Sequence, residues 1–158
     1  MSSRQRLAVG TMASLLAAIL LSCGSGDPAC DLPRQEAPDP ASGLHVLDDS
    51  GLRWSSTAPT SGPHRLAVPQ GGLQINEVDE LDQVAFLEAG GIIIQVRGDT
   101  VPDVLADLAA PAVLIAPRSV LSDKVVATAW TWRLRCSTIE IGPLQSFISD
   151  RAGTSKGH

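Results

Sequence analysis

The alternation of apolar and polar positions divides the chain into a leader, a tether and a body. Leu7 to Leu21 is apolar apart from Gly10, Thr11 and Ser14. Gly24 to Gly43 has no apolar period and is rich in Gly, Ser, Pro and Asp, the composition of a flexible linker. Beyond it, His45-Val46-Leu47 and Leu52-Arg53-Trp54 read as two short strands around an Asp48-Asp49-Ser50-Gly51 turn. Leu81, Val84, Ala85 and Glu88 recur at helical spacing, and Gly90-Gly91 suits a helix stop. A buried strand over Val84–Leu87 is the alternative there.

Ile92-Ile93-Ile94-Gln95-Val96 predicts a central strand, apolar on both faces. Thr100-Val101-Pro102-Asp103 opens a helix to about Ala109, with Thr100 as its cap and Pro102 in the first turn. Ala112 to Ala116 is a second buried strand, so the strand–helix–strand order implies a parallel crossover. Lys124 to Trp132 reads as a third strand, and Gly142-Pro143 as the start of a last helix carrying Leu144, Phe147 and Ile148 on one face. The expected fold is α+β: a small mixed sheet with one parallel β-α-β crossover and two to three helices. The expected boundaries are a leader at 1–22, a linker at 23–43, a domain at 44–151 and a disordered tail at 152–158.

Composition alters this picture in two places. Aromatics are three Trp, two Phe and no Tyr, so the core has to be aliphatic. Trp130 and Trp132, two apart on one expected strand, are either core filling or a ligand platform. Net charge is −5, and without Arg4 and Arg6 ten Lys/Arg stand against seventeen Asp/Glu. An acidic body with no basic patch argues against a nucleic-acid partner, which requires Lys and Arg to displace counterions.

The leader predicts an address. Arg4 and Arg6 precede an apolar run of fifteen residues, shorter than the roughly 20 of a spanning helix. The run ends at Leu20-Leu21-Ser22-Cys23, which resembles the bacterial lipobox. That resemblance implies cleavage before Cys23, acylation of Cys23 and a membrane partner reached through lipid, since two or three acyl chains hold a protein stably on a bilayer. The expected location is the extracytoplasmic face of a membrane; plain secretion and an uncleaved N-terminal anchor are the alternatives. Cys30 and Cys136 remain as a possible disulfide in an oxidising compartment, or as two free thiols.

The chemistry-bearing stretch is Thr57-Ala58-Pro59-Thr60-Ser61-Gly62-Pro63-His64. Two prolines restrict the backbone and the hydroxyls of Thr60 and Ser61 can stiffen the turn, making a rigid loop that presents His64. Pro59-Thr60-Ser61-Gly62-Pro63-His64 resembles the Pro-Thr-Ser-Gly-Pro-His signature of the domain-of-unknown-function 3105 family of bacterial envelope proteins. The similarity extends through Gly90–Ile94, Val113–Pro117 and Thr128–Trp130, over roughly Gly43 to Arg151. The family's second block reads His-x-x-Glu-His-Gly, a pattern shared with zinc peptidases in which two His bind metal. Here that block is Ala85-Phe86-Leu87-Glu88-Ala89-Gly90, with alanine at both histidine positions.

These readings favour a lipid-anchored, non-catalytic binding or structural module with Thr60, Ser61, Gly62, Pro63 and His64 as its contact loop. No cofactor and no metal are expected, because Ala85 and Ala89 offer no ligand atom. The sequence names no protein or ligand partner. The alternative is a metal-dependent enzyme or metal-handling protein built on His45, His64 and Glu88, a legitimate donor set. A hydrolase triad of Ser61, His64 and Glu88 lacks the Gly-x-Ser-x-Gly elbow and has prolines where oxyanion-hole amides would be needed.

Overall fold

The computed structural model describes residues 28–48 and 51–154. The leader, Cys23 and the last four residues lie outside them. Six strands form one mixed sheet: β1 (Arg34–Gln35), β2 (Gly72–Leu73), β3 (Ile92–Val96), β4 (Val113–Pro117), β5 (Val125–Ala129) and β6 (Trp132–Cys136), in the order β1-β6-β5-β3-β4-β2. β4 pairs in parallel with both β3 and β2, while β3–β5, β5–β6 and β1–β6 are antiparallel. Helices α1 (Glu80–Glu88) and α2 (Ile141–Arg151) and a 3-10 helix at Asp103–Leu108 complete an α+β fold. Among the described residues no helix is long and apolar enough to cross a membrane.

The apolar strands are buried on both faces because helices cover both. Ile92, Ile94 and Val96 of β3 face one way, into a cluster with Ile115, Leu105, Leu144 and Phe147. Ile93 faces the other, with Leu114, Ala116, and Phe86 and Leu87 of α1. The period-two alternation of β3 thus assigns α2 and α1 to opposite sides of the sheet.

Several elements differ from the sequence expectation. The 45–47/52–54 hairpin is absent from the described residues, because Val46 N–H donates instead to His64 O at 2.9 Å. The single strand over 124–132 is two strands, β5 and β6, joined at Trp130-Thr131. Thr131 has φ 60°, unusual for a β-branched residue, and is held by two backbone bonds: its N–H to Thr60 O (2.9 Å) and its carbonyl from Glu36 N–H (2.8 Å). Trp130 and Trp132 therefore do not make one platform. Trp130 packs with the α1 cluster, and Trp132 with the α2 cluster, under the Arg151 guanidinium at 3.7 Å. At 103–108 the helix is short and 3-10, capped by Pro102 without a side-chain bond rather than by Thr100. For α1 the cap is Asp79, whose carboxylate accepts Asp82 N–H.

The described part of the expected linker, 28–43, lies against the sheet. Cys30 and Cys136 form a disulfide, β1 pairs with β6, and Asp31 and Ser137 N–H groups donate to Arg135 and Ala29 carbonyls. Its lack of apolar period reflects how it is held, by backbone pairing and a covalent bond rather than by side-chain burial.

Candidate metal centre

The arm formed by 28–43 supports the proline-rich loop from behind. Glu36 Oε2 accepts the Thr60 hydroxyl at 2.9 Å and pairs with Arg133 at 3.1 Å, while Asp39 N–H donates to Ser61 Oγ at 2.8 Å. Arg133 also donates to Ala58 O at 2.8 Å, and Arg118 Nε to Thr57 O at 3.1 Å. Burial pushes the Arg133 guanidinium below its ordinary value, with Glu36 opposing that shift. With its polar atoms turned inward, the loop is buried from Ala58 to His64. The expected contact loop of Thr60, Ser61, Gly62, Pro63 and His64 is thus an internal support, and its only chemistry-bearing terminus is the His64 ring.

Gly62 is required where it stands. Its φ is +137°, and a Cβ there would lie 3.0 Å from the Trp54 ring. Its carbonyl is 2.9 Å from His64 Nδ1. A ring nitrogen beside a carbonyl donates its N–H there, which leaves Nε2 as the nitrogen that faces Glu88.

Nε2 points at Glu88. The ring is 1% exposed, and Nε2 lies 2.6 Å from Glu88 Oε2 without the alignment of a hydrogen bond. His45 completes the group. It forms an isolated parallel bridge with His64, and the two rings meet edge to face with centroids 4.7 Å apart. One donor atom from each of His45, His64 and Glu88 lies within 4.8 Å of the others. Two donors on one zinc-sized ion are separated by roughly 3–3.5 Å at metal–nitrogen distances near 2.1 Å, a spacing that falls within the 4.8 Å spread of this set. The His64 Nδ1–carbonyl bond is the outer support that a metal-bound histidine ordinarily has.

The centre opens on a cleft of about 290 Å³ lined by His45, Arg65, Leu66, Val68, Ala85, Glu88 and Ala89. Arg65 is held by Asp79 and Asp82 through its Nη1, at 2.6–2.8 Å, which raises its already high pKa. The hydrolase triad does not form: Ser61 Oγ accepts from Asp39, and the two ring nitrogens of His64 face Gly62 and Glu88. Sequence reasoning named all three donors without a reason for their convergence. It missed Glu36, Asp39 and Arg133, since nothing in a charged residue's spacing reports a loop packed behind it.

The sequence pattern of the family described as "Protein of unknown function (DUF3105)" matches residues 45–158. The chain belongs to the DUF3105 family. All three donors fall inside the matched span, whereas Cys30 and the supporting arm precede it. No curated protein and no solved structure matches the chain.

Proposed function

We propose that this DUF3105 protein is a lipid-anchored, extracytoplasmic metal-handling module that holds one divalent transition-metal ion at His45, His64 and Glu88. The observation that carries this reading is the His64–Glu88 contact. Nδ1 is taken up by the Gly62 carbonyl, and Nε2 lies 2.6 Å from a Glu88 carboxylate oxygen. An imidazole nitrogen and a carboxylate oxygen that face each other are joined by a proton or by a metal cation, and His45, within reach as a third donor, favours the metal. Two imidazoles and a carboxylate suit zinc, copper, nickel or cobalt. The expected absence of metal rested on Ala85 and Ala89, but the remaining donors meet without them. Ser61 is turned to the arm and supplies no nucleophile, which supports binding or transfer of the ion over hydrolysis.

The membrane address rests on the basic start, the apolar run and Leu20-Leu21-Ser22-Cys23, all outside the described residues. Titrating tag-free, metal-stripped protein with zinc or copper is expected to give one ion per chain and a rise in melting temperature. His64→Ala and Glu88→Gln each abolish that rise. Equal rises in wild type and both variants, or no rise at all, would leave His64 and Glu88 as a protonated ion pair and refute the metal reading. The mass of the mature N-terminus tests the anchor separately, with acylated Cys23 expected.

A further inference from the structure

In a chain whose acids outnumber its bases, three arginines meet at one edge of the sheet. β1 is the edge strand beside β6, and its register sets Arg34 directly opposite Arg133. Arg135, two positions along β6, projects from the same face. Like charges directly opposite one another on neighbouring strands are destabilising, so this arrangement calls for anions. We infer that Arg34, Arg133 and Arg135 form an anion site, separate from the His45, His64 and Glu88 centre, that takes a phosphate group, either a free phosphate or the headgroup of a phospholipid.

The resident carboxylates compensate only in part. Asp31 pairs with Arg135 at 3.0 Å and Glu36 with Arg133 at 3.1 Å. Arg34 has no acidic partner among the described residues, so three cations against two anions leave one positive charge around the cleft they line. Burial holds the Arg133 guanidinium below its ordinary pKa, and the neighbouring Arg135 charge pushes the same way. Arg133 spends Nη2 on Glu36 and on Ala58 O, while its Nε–H is buried without an acceptor.

Size and geometry select the ligand. The cleft holds about 140 Å³, room for one compact group and less than the roughly 300–1,000 Å³ that larger organic ligands occupy. Guanidinium forks match the oxygens of carboxylates and of phosphates. A carboxylate has two oxygens in one plane and is served by one fork, and Asp31 and Glu36 already fill that role for Arg135 and Arg133. A phosphate presents tetrahedral oxygens in several directions, which suits three guanidiniums arriving from two strands. Leu32, 85% exposed, also lines the cleft, and the arm that carries it and Arg34 is the described segment nearest in sequence to Cys23. An apolar side chain in solvent beside cations is the composition of a contact with a lipid surface, which makes a headgroup phosphate one source of the ligand.

The test is NMR on the full chain in dodecyl maltoside micelles, with chelator present so that no phosphate binds through a metal. Inorganic phosphate, acetate and micelle-embedded phosphatidylglycerol are added separately at constant ionic strength, and the backbone amides of Arg34, Arg133 and Arg135 are followed. At least one phosphate probe is expected to shift them saturably, and more tightly than acetate does. Arg34 is exposed, so Arg34→Gln keeps the fold and is expected to weaken that binding about tenfold. Arg53→Gln, at an exposed arginine outside the cleft, is expected to leave it unchanged. A response to phosphatidylglycerol assigns the site to a headgroup, and a response to inorganic phosphate alone assigns it to a soluble phosphate; both support the inference. No saturable shift with either phosphate probe overturns it, as does acetate bound as tightly as phosphate. Arg34→Gln binding like wild type, or Arg53→Gln losing as much as Arg34→Gln, overturns it too, the last because bulk charge would then be the cause.

Discussion

The rings of His45 and His64 meet edge to face because their backbones are bridged. His64 N–H donates to Leu44 O at 3.1 Å and Val46 N–H returns to His64 O at 2.9 Å. This pairing converts two residues on separate loops into neighbours, and the loop that fixes one fixes the other. His64 is fully buried while His45 is exposed, so the pair is half structural and half available to a ligand.

That asymmetry separates stability from binding. His64→Ala removes a buried ring and leaves the Gly62 carbonyl and Glu88 without it, so metal-free protein is expected to lose about 2–4 kcal/mol in urea unfolding. His45→Ala changes an exposed side chain and is expected to stay within about 0.5 kcal/mol of wild type. Both variants lose most of the metal-dependent gain. A large loss for His45→Ala in the presence of chelator would show that its ring is core rather than ligand.

Gly62→Ala acts on the same centre through the backbone. At φ +137° an L-residue is strained, and the added Cβ lies 3.0 Å from the Trp54 ring. The expected loss is about 1–3 kcal/mol, with weaker metal binding because the carbonyl that orients His64 is displaced. Gly98→Ala is the control: φ is +129°, but nothing lies within 4 Å of the added carbon. It is expected to show a similar backbone cost with metal affinity intact. Equal effects of the two variants on metal binding would remove Gly62 from any positioning role.

Periodicity made the sheet centre and both longer helices legible. Ile92–Val96 and Val113–Pro117 are apolar on both faces, and only buried strands need that; Leu144 and Phe147 mark the inner face of α2. The β5–β6 turn was not legible, because Trp130-Thr131 carries no glycine or asparagine and depends on a bond to the Thr60 carbonyl and one from Glu36 N–H. The arm was misread for a related reason: hydrogen bonds to a strand edge and a disulfide leave no apolar period. At the centre, residue types were readable and convergence was not, since the His45–His64 bridge is a tertiary event.

Acid should expose the role of Glu77. Its carboxylate accepts the Ser119 hydroxyl and backbone N–H at 2.5 and 2.7 Å and pairs with Arg118 at 3.4 Å. The Ser119 contacts hold its pKa below the ordinary 4.5. The unfolded chain therefore binds this proton first as pH falls, so the contribution is full above the unfolded value and is lost as pH drops through the folded one. Ser119→Ala removes the largest cause, and urea unfolding between about pH 5 and pH 3 is expected to show a shallower pH dependence than wild type. Superimposable slopes would mean that Ser119 does not tune Glu77.

The Cys30–Cys136 bond is expected to matter at both ends of the arm. It joins residues separated by 106 positions, and closing a loop of about 100 residues is worth up to about 4.7 kcal/mol in the chain-entropy account, with 2–5 kcal/mol usual for a lost native disulfide. Cys136 is buried in the core, so the paired variant is Cys30→Ala with Cys136→Ala, which avoids burying a new hydroxyl. Global stability is expected to fall by about 2–5 kcal/mol. The local consequence is more specific. Without the bond, the arm is retained by a two-residue strand pairing and by the Glu36 and Asp39 contacts, so the amides of Asp31, Glu36 and Asp39 should exchange faster than those of β3 and β4. Loosening Glu36 and Asp39 frees Thr60 and Ser61, and with them the backbone that presents His64. The double variant should therefore bind metal more weakly even under conditions where it is fully folded. Unchanged affinity together with fast arm exchange would uncouple the arm from the centre, and unchanged arm exchange would show that backbone pairing alone holds it.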